Sequence, residues 1–549
     1  MKFFKRPFVA EIIILIAGAL LFIPFLGGVH LFDWDEINFA ESAREMIVTG
    51  DYLTVQINFQ PFWEKPPLFI WIQVISMKIF GINEFAARFP NAICGILTLL
   101  LLFRTGKKVY DEAFGALWVL VYAGSVLPFF YFKSGIIDPW FNLFIFAGLL
   151  HFIYFLGEEN LSRRWLYLAL SAGSIGLAIL TKGPVALLLF GVTAGIYWIL
   201  NRFRMKINIV QILVYLVILS VIGGLWFIIQ AIIGHFDVVK DFFIYQVRLL
   251  KTQDAGHGGF FLYHVIVLFI GVFPASVYAL KGLRRSYYDD PFQKRVKFWM
   301  IILFFVVLLI FSIVRTKIVH YSSLCYLPLT FLGAYVISKV LRDRIQSYRW
   351  LNGIYYFIGM LYGFIAIALP FVMMKREWII QKGWIKDEFA AGNLQASVTW
   401  SGYEAISGII FISGIIFISI LFRKNRKLAF ISIFTNMIVF IVMNLLILTP
   451  KVEQYSQNAL IEFCKEKQTE DCYVETLGMK SYAHLFYTDK QVPLNKNSFN
   501  LDWLLTGNID KPVYFILRNR SSEVYREAYP YLMLYREKNG YVFLKRETQ

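Results

Sequence analysis

Glu64 and Lys65 stand side by side in QPFWEKPPLF, residues 60–69, hemmed in by Phe62, Trp63 and two prolines. Proline suits the first position of a helix, so the spacing predicts a helix opening at Pro66 or Pro67. The start of a helix carries positive potential, and a lysine there opposes the helix dipole. The same place is favourable if an anion docks there, because the lysine and the free N–H groups then point at one negative group. Pro66 also biases Lys65 away from helical geometry. The plainer role is a lysine snorkelling beside aromatics and pairing with Glu64.

Other ionisable residues gather in a few short stretches. LFDWDEINFAESAREMIVTGDYL, residues 31–53, opens on Asp33, Asp35 and Glu36. Asp33 or Asp35 can cap a helix there, and Gly50-Asp51 ends it. Acids at that end also serve the helix dipole, an ordinary role for Asp33 and Glu36. Lys133 and Asp138 flank SGIIDPW, with a structural pair between them as the plain reading, and Lys182 follows an apolar run. Arg315, Lys317, His320 and Tyr321 cluster in VRTKIVHY, and Arg248, Lys251 and His257 lie in YQVRLLKTQDAGHGGFFLYH. Charges at the ends of apolar spans are functional candidates by default. Lys182, Lys317, Arg248 and Lys251 suit a phosphate.

The elements that must position these groups are membrane helices. Hydrophobic residues make up 58% of the 549 and charged residues 17%. Runs of roughly 17 to 25 apolar residues read as transmembrane helices, and about thirteen are present. They lie near residues 8–28, 86–103, 112–132, 136–156, 165–180, 184–200, 209–233, 260–280, 298–314, 318–338, 351–374, 403–422 and 428–449. The first has no small-residue cleavage site and reads as a retained helix, not a signal peptide. Residues 66–80 are apolar but short, and are expected to lie at the membrane surface. Between Asp35 and Gly50, residues Ile37, Ala40, Ala43, Met46 and Ile47 recur at helical spacing, which predicts an amphipathic helix in the interface plane.

The net charge of +17 does not indicate nucleic acid. Its lysines and arginines fall in alternate loops, KFFKR, RTGKK, SRR, NRFRMK, KGLRRSYY with QKRVK, LRDR and RKNRK. That is the positive-inside pattern with a cytoplasmic N-terminus, and it puts the loop holding Lys65 outside, together with everything after residue 450. External segments are then expected over 29–85, 234–259 and 375–402. Cys94 and Cys325 fall in spans as packing residues; Cys464 and Cys472 fall outside, where they either join or remain two thiols.

The chain divides into a membrane part, 1–450, and a polar tail, 451–549. In the tail, CYVETLG and KPVYFILRN read as strands, 453–468 and 521–528 as helices, and the end as a hairpin around Asn539-Gly540. The expected fold class is an all-α polytopic membrane protein with a small C-terminal extracytoplasmic α/β domain.

DEINFAESAREMIVTGDYL, QPFWEKPPLFIW and FAARFPNAICGIL together closely resemble the membrane glycosyltransferases that use polyprenyl-phosphate sugars. These include aminoarabinose transferases acting on lipid A and protein O-mannosyltransferases. TKGPVALLL at 181–189 and TKIVHYSSLCYLPL at 316–329 look like two further stretches of that family. The resemblance implies a GT-C architecture in a bacterial inner membrane. It implies an undecaprenyl-type phosphate sugar donor, and a lipid A, protein or glycan acceptor attacked outside the cytoplasm. Asp35 matches the family's acid near the reacting centre and would take the acceptor's proton, worth about 100- to 10,000-fold in rate. With no second carboxylate as nucleophile, inversion is expected. Glu64 and Lys65 match the EK pair, with Lys65 on the donor phosphate and Lys182, Arg248 and Lys317 as further contacts. Asp33, Asn38, Asp138, His257, His320 and Tyr321 are the remaining candidates for holding substrate. Two positions depart from the pattern: Asn38 stands where an Arg is common, and Gln246 where a His is common. Glu64 could orient Lys65 or hold a divalent metal with His257, a weak ligand set.

Two other classes compete. A transporter or lipid-linked-sugar flippase would keep its charges at the midplane of symmetric halves, and no internal repeat is evident. A ligase or polymerase using a diphosphate-linked donor would carry more arginines in a large external loop.

Overall fold

The computed structural model describes residues 8–62, 64–251, 259–284, 288–346 and 348–548. Among them, nine helices are long and apolar enough to cross a membrane. A bent pair, Tyr263–Gly271 and Ala275–Gly282, turns through 114° and is apolar enough to cross only if its halves count as one span. Pro274 caps the second half, where its missing N–H costs the helix nothing. Shorter apolar helices are Val9–Phe22, Leu68–Phe80, Glu112–Ala123 and Val185–Leu200. Helix ends follow local chemistry: Asn83, Asp111, Asn160 and Asn208 each accept a backbone N–H at a helix start.

The bundle is layered. The span Val319–Leu341 is buried over 94% of its apolar window and forms the centre; Ile209–Ile232 is buried over 17% and faces outward. Small residues allow close approach: a Cβ on Gly106 would lie 2.7 Å from Gly115 Cα across the Glu84–Val109 and Glu112–Ala123 contact.

The first loop forms helix Asp35–Thr49, closed by Gly50 at φ 73°. A two-residue hairpin follows, β1 (Gln56–Ile57) with β2 (Gln60–Pro61), and then helix Leu68–Phe80. The helix Asp35–Thr49 does not lie open in an interface. Every residue from Glu36 to Met46 is buried, so its polar face is covered as well as its apolar one. The cover comes from the C-terminal region. There β3 (Tyr473–Thr476), β4 (Val513–Arg518), β5 (Met533–Lys538) and β6 (Tyr541–Arg546) form a sheet of order β3-β4-β6-β5, parallel only between β3 and β4. Asn539 and Gly540, both at positive φ, make the β5–β6 turn. The expected helix over 453–468 is two, Thr449–Ser456 and Asn458–Glu466. One apolar cluster unites Ile37, Ala40 and Met46 of the first loop with Phe463, Ile516 and Phe543 of the C-terminal region. All four cysteines are free thiols.

Candidate active site

Asp35 is the first residue of its helix, after Trp34 at the cap position, and no side chain caps that start. The capping role read for Asp33 or Asp35 is therefore not what they do. Asp35 Oδ2 lies 3.2 Å from His320 Nε2. His320 sits in the 3₁₀ turn Val319–Cys325 that opens the central span. The backbone at Asp35 is fixed by its neighbour Glu36. Glu36 accepts from Phe32 N–H (2.8 Å), Gly135 N–H (2.6 Å) and the Arg88 guanidinium. Burial would raise its pKa, but Arg88 and these N–H groups hold the carboxyl below the usual range. Arg88 also donates to the carbonyls of Leu26, Val29 and His30, so one guanidinium ties the end of the first span to the loop. Asp33 is bonded to Ser481 and to the backbone of Tyr482; burial nevertheless raises its pKa.

Lys65 precedes helix Leu68–Phe80, whose cap position is Pro67, so the helix begins a residue or two later than expected. Its ammonium lies 5.3 Å from the centre of the Tyr245 ring, and Arg248 lies 5.1 Å from the same ring. Helix Phe236–Lys251 thus offers one tyrosine ring to both Lys65 and its own Arg248. Burial lowers the Lys65 pKa; Glu64, Asp35 and Asp138 pull it back up, and Lys182 pushes it down. A partly desolvated cation beside another cation is arranged for an anion to arrive. The Glu64 carbonyl accepts a long bond from Gln246.

Asp138 opens helix Asp138–Gly157 and pairs with Lys182 at 2.6 Å. Its Oδ2 is buried with no partner. Lys182 also lies over the rings of Tyr321 (5.5 Å) and Phe141 (5.6 Å). Lys133 does not meet Asp138, as its spacing suggested. It donates to Pro24 O at 2.6 Å, and burial lowers its pKa to about 8. Lys317, read as a phosphate contact, donates to the carbonyls of Phe311, Ser312 and Val314, closing the end of helix Pro291–Ile313. Asn38 is buried in the first-loop helix with its Oδ1 unpartnered. His257 and the Lys251 side chain lie outside the described residues. Among the described residues no three His, Cys, Asp or Glu side chains gather for a metal. Glu64, with the amide of Gln246 beside it, offers a single carboxylate.

These residues line two separate cavities, and no described residue lines both. One, of about 580 Å³, is lined by Asp33, Asp35, Glu36 and Lys133, with apolar walls including Leu20, Phe25 and Leu446. The other, of about 260 Å³, is lined by Lys65, Asp138, Lys182, Gln246 and Tyr321, with apolar walls including Val185, Leu188 and Phe311. The carboxylate of the first is within electrostatic reach of the cation of the second. Arg88 was legible as an arginine inside an apolar helix. Tyr245 and the C-terminal partners of residues 30–34 carried no signal in the sequence.

The profile of the family described as dolichyl-phosphate-mannose-protein mannosyltransferase matches residues 64–226. The undecaprenyl phosphate-alpha-4-amino-4-deoxy-L-arabinose arabinosyl transferase of Photorhabdus laumondii is 26% identical over 353 residues, 63% of this chain and 62% of that one. The enzyme of the same name from Pectobacterium carotovorum is 27% identical over 410 residues, 71% and 72% of the two chains. The chain thus spans somewhat under two thirds of the first relative's length. The crystal structure of ArnT from Cupriavidus metallidurans bound to undecaprenyl phosphate superposes with a TM-score of 0.76, at 16% identity, over 98% of each chain. The fold is that of this ArnT crystal structure. The recognition drawn from the first-loop residues is therefore borne out, in sequence similarity and in fold alike. In this fold the first loop and the C-terminal region share one apolar cluster, and Asp33, Asp35 and Glu36 of that loop line the larger of the two cavities.

Proposed function

We propose that this chain transfers a sugar from a polyprenyl phosphate to an acceptor at the extracytoplasmic face of a membrane. The observation that carries the reading is that Asp35, which lines one cavity, lies within electrostatic reach of Lys65, which lines another with Lys182. The relatives' names, which specify an undecaprenyl-phosphate sugar, supply the donor class. The lipid phosphate docks on Lys65, with Arg248 close by. The bond between the anomeric carbon and the phosphate oxygen breaks, and negative charge returns to the phosphate, where fixed cations stabilise it. The acceptor hydroxyl or amine attacks the opposite face of that carbon and gives its proton to Asp35, so the configuration inverts. Lys182 and Asp138 hold the sugar-side wall with Tyr321. The acceptor is a lipid A, a protein or a glycan. Seven loop clusters of positive charge support a cytoplasmic N-terminus. The long helices, the bent pair and three of the shorter ones support about thirteen crossings. The C-terminal sheet and its helices then form an external α/β region.

The test uses purified protein in proteoliposomes with undecaprenyl phosphate-linked 4-amino-4-deoxy-L-arabinose and a panel of other undecaprenyl-phosphate sugars. Wild type should transfer one of them, while Asp35→Asn and Lys65→Ala should lose transfer yet remain folded. Normal transfer by both variants refutes the site, and lipid translocation without transfer makes the chain a flippase.

A further inference from the structure

The segment that delivers Asp35 is held from the far end of the chain. Gln457 opens helix Asn458–Glu466 and is 7% exposed. Its Nε2 donates to Leu31 O at 2.6 Å, and its Oε1 accepts from Asp33 N–H at 3.1 Å. One carboxamide thereby pairs with the backbone on both sides of Phe32, as a neighbouring strand would. Leu31 N–H donates to Tyr487 Oη at 2.7 Å, and Phe32 N–H to Glu36. Every backbone N–H from Leu31 to Asp33 is thus committed, two of the three to the C-terminal region. His30 adds a 2.8 Å contact to Glu453, and the Trp34 ring packs on Tyr482 with Lys480 over its face. Asp35 follows directly, with a helix start that no side chain caps. The direction in which it enters its cavity is then set by this clamp and by Glu36.

We infer that Gln457 is a positioning residue for the transfer reaction: its carboxamide fixes the backbone of Leu31 to Asp33 and so aims Asp35 at the acceptor. This rests on the reading of Asp35 as the base. It gives the C-terminal region a task within the reaction centre, although it contributes no group that touches the reacting atoms. A base displaced by about 1 Å costs on the order of 100-fold in rate without losing substrate affinity.

Gln457→Leu keeps the volume and removes both bonds. It should lower kcat by roughly 10- to 100-fold and leave the KM for an undecaprenyl-phosphate sugar within about twofold. Gln457→Glu supplies a rescue that mere loss of packing would not show. Its carboxylate faces Leu31 O and is repelled, whereas its protonated form donates to Leu31 O and still accepts from Asp33 N–H. The ratio of variant to wild-type kcat should therefore rise roughly fivefold or more from pH 8.5 to pH 5.5. Asp35→Asn is measured alongside. If Asp35→Asn is inactive while Gln457→Leu has full kcat, the clamp is refuted and the base stands. If Asp35→Asn transfers normally, both are refuted. If Gln457→Leu does not fold, the pH ratio of Gln457→Glu decides, and a flat ratio overturns the proposal.

Discussion

His320 Nε2 and Asp35 Oδ2, 285 residues apart in sequence, lie 3.2 Å from each other. The contact engages one carboxylate oxygen, and the proposed reaction uses the other on the acceptor. It fixes the rotamer of a side chain that begins a helix with no cap. His320→Gln keeps a donor and should retain most of kcat, whereas His320→Phe should lose about tenfold or more. Initial rates at saturating donor measure both. Equal rates for the two variants would dissociate His320 from the base.

Lys182 and Asp138 form an ion pair that is nearly dry, with 15% and 4% side-chain exposure. Removing one partner strands the other charge, at about 3–5 kcal/mol. Asp138→Leu and Lys182→Met should each destabilise by that amount, and the double variant by clearly less than the sum. Denaturation midpoints in detergent give the cycle, and strict additivity would contradict the pair.

Arg88 donates five hydrogen bonds from a 3% exposed position. Arg88→Lys cannot reproduce the fork and should destabilise nearly as much as Arg88→Ala, about 3–5 kcal/mol. Limited proteolysis after Leu26 should report the freed loop. A stable Arg88→Lys protein would mean the carbonyl contacts contribute little.

Glu45 is buried beside Glu41, and burial, with that neighbouring acid, raises its pKa from 4.5 to about 9. Phe59 N–H donates to its Oε2. The folded state therefore holds a proton that the unfolded state releases above pH 4.5. Stability is unpenalised below that value and falls as pH rises toward about 9. Glu45→Gln carries no such proton. Its melting temperature relative to wild type should be near zero difference at pH 4.5 and increasingly higher toward pH 8.5. A pH-independent difference would show that the two acids do not share a proton.

Much of the chain could be read along one dimension. Apolar runs mark the spans because a bilayer needs whole helices of fixed length. The tail's strands and its Asn539-Gly540 turn follow from alternation and from the positive φ that those residues tolerate. The helix over Asp35–Thr49 was legible, and Gly50 did end it. Its setting was not: an amphipathic helix in the interface plane was expected, yet its Glu41, Arg44 and Glu45 are buried, with Arg44 paired to Glu41 and Asp489. Lys133 and Asp138 are close in sequence and unpaired in space, because the ammonium is turned to Pro24 O and the carboxylate to Lys182. Lys317 closes a helix end through three carbonyls, a role that depends on which unpaired groups lie within its reach.

The sequence by itself determined the membrane class, the helices, and the acids and lysines gathered in the first loop, because hydropathy, spacing and turn chemistry are local properties. Only the tertiary structure decided that Asp35 meets His320, that Lys182 meets Asp138, and that Gln457 holds the segment before Asp35. A charge or amide taken out of water must find a partner, and which partner it finds is set by the packing of helices hundreds of residues apart.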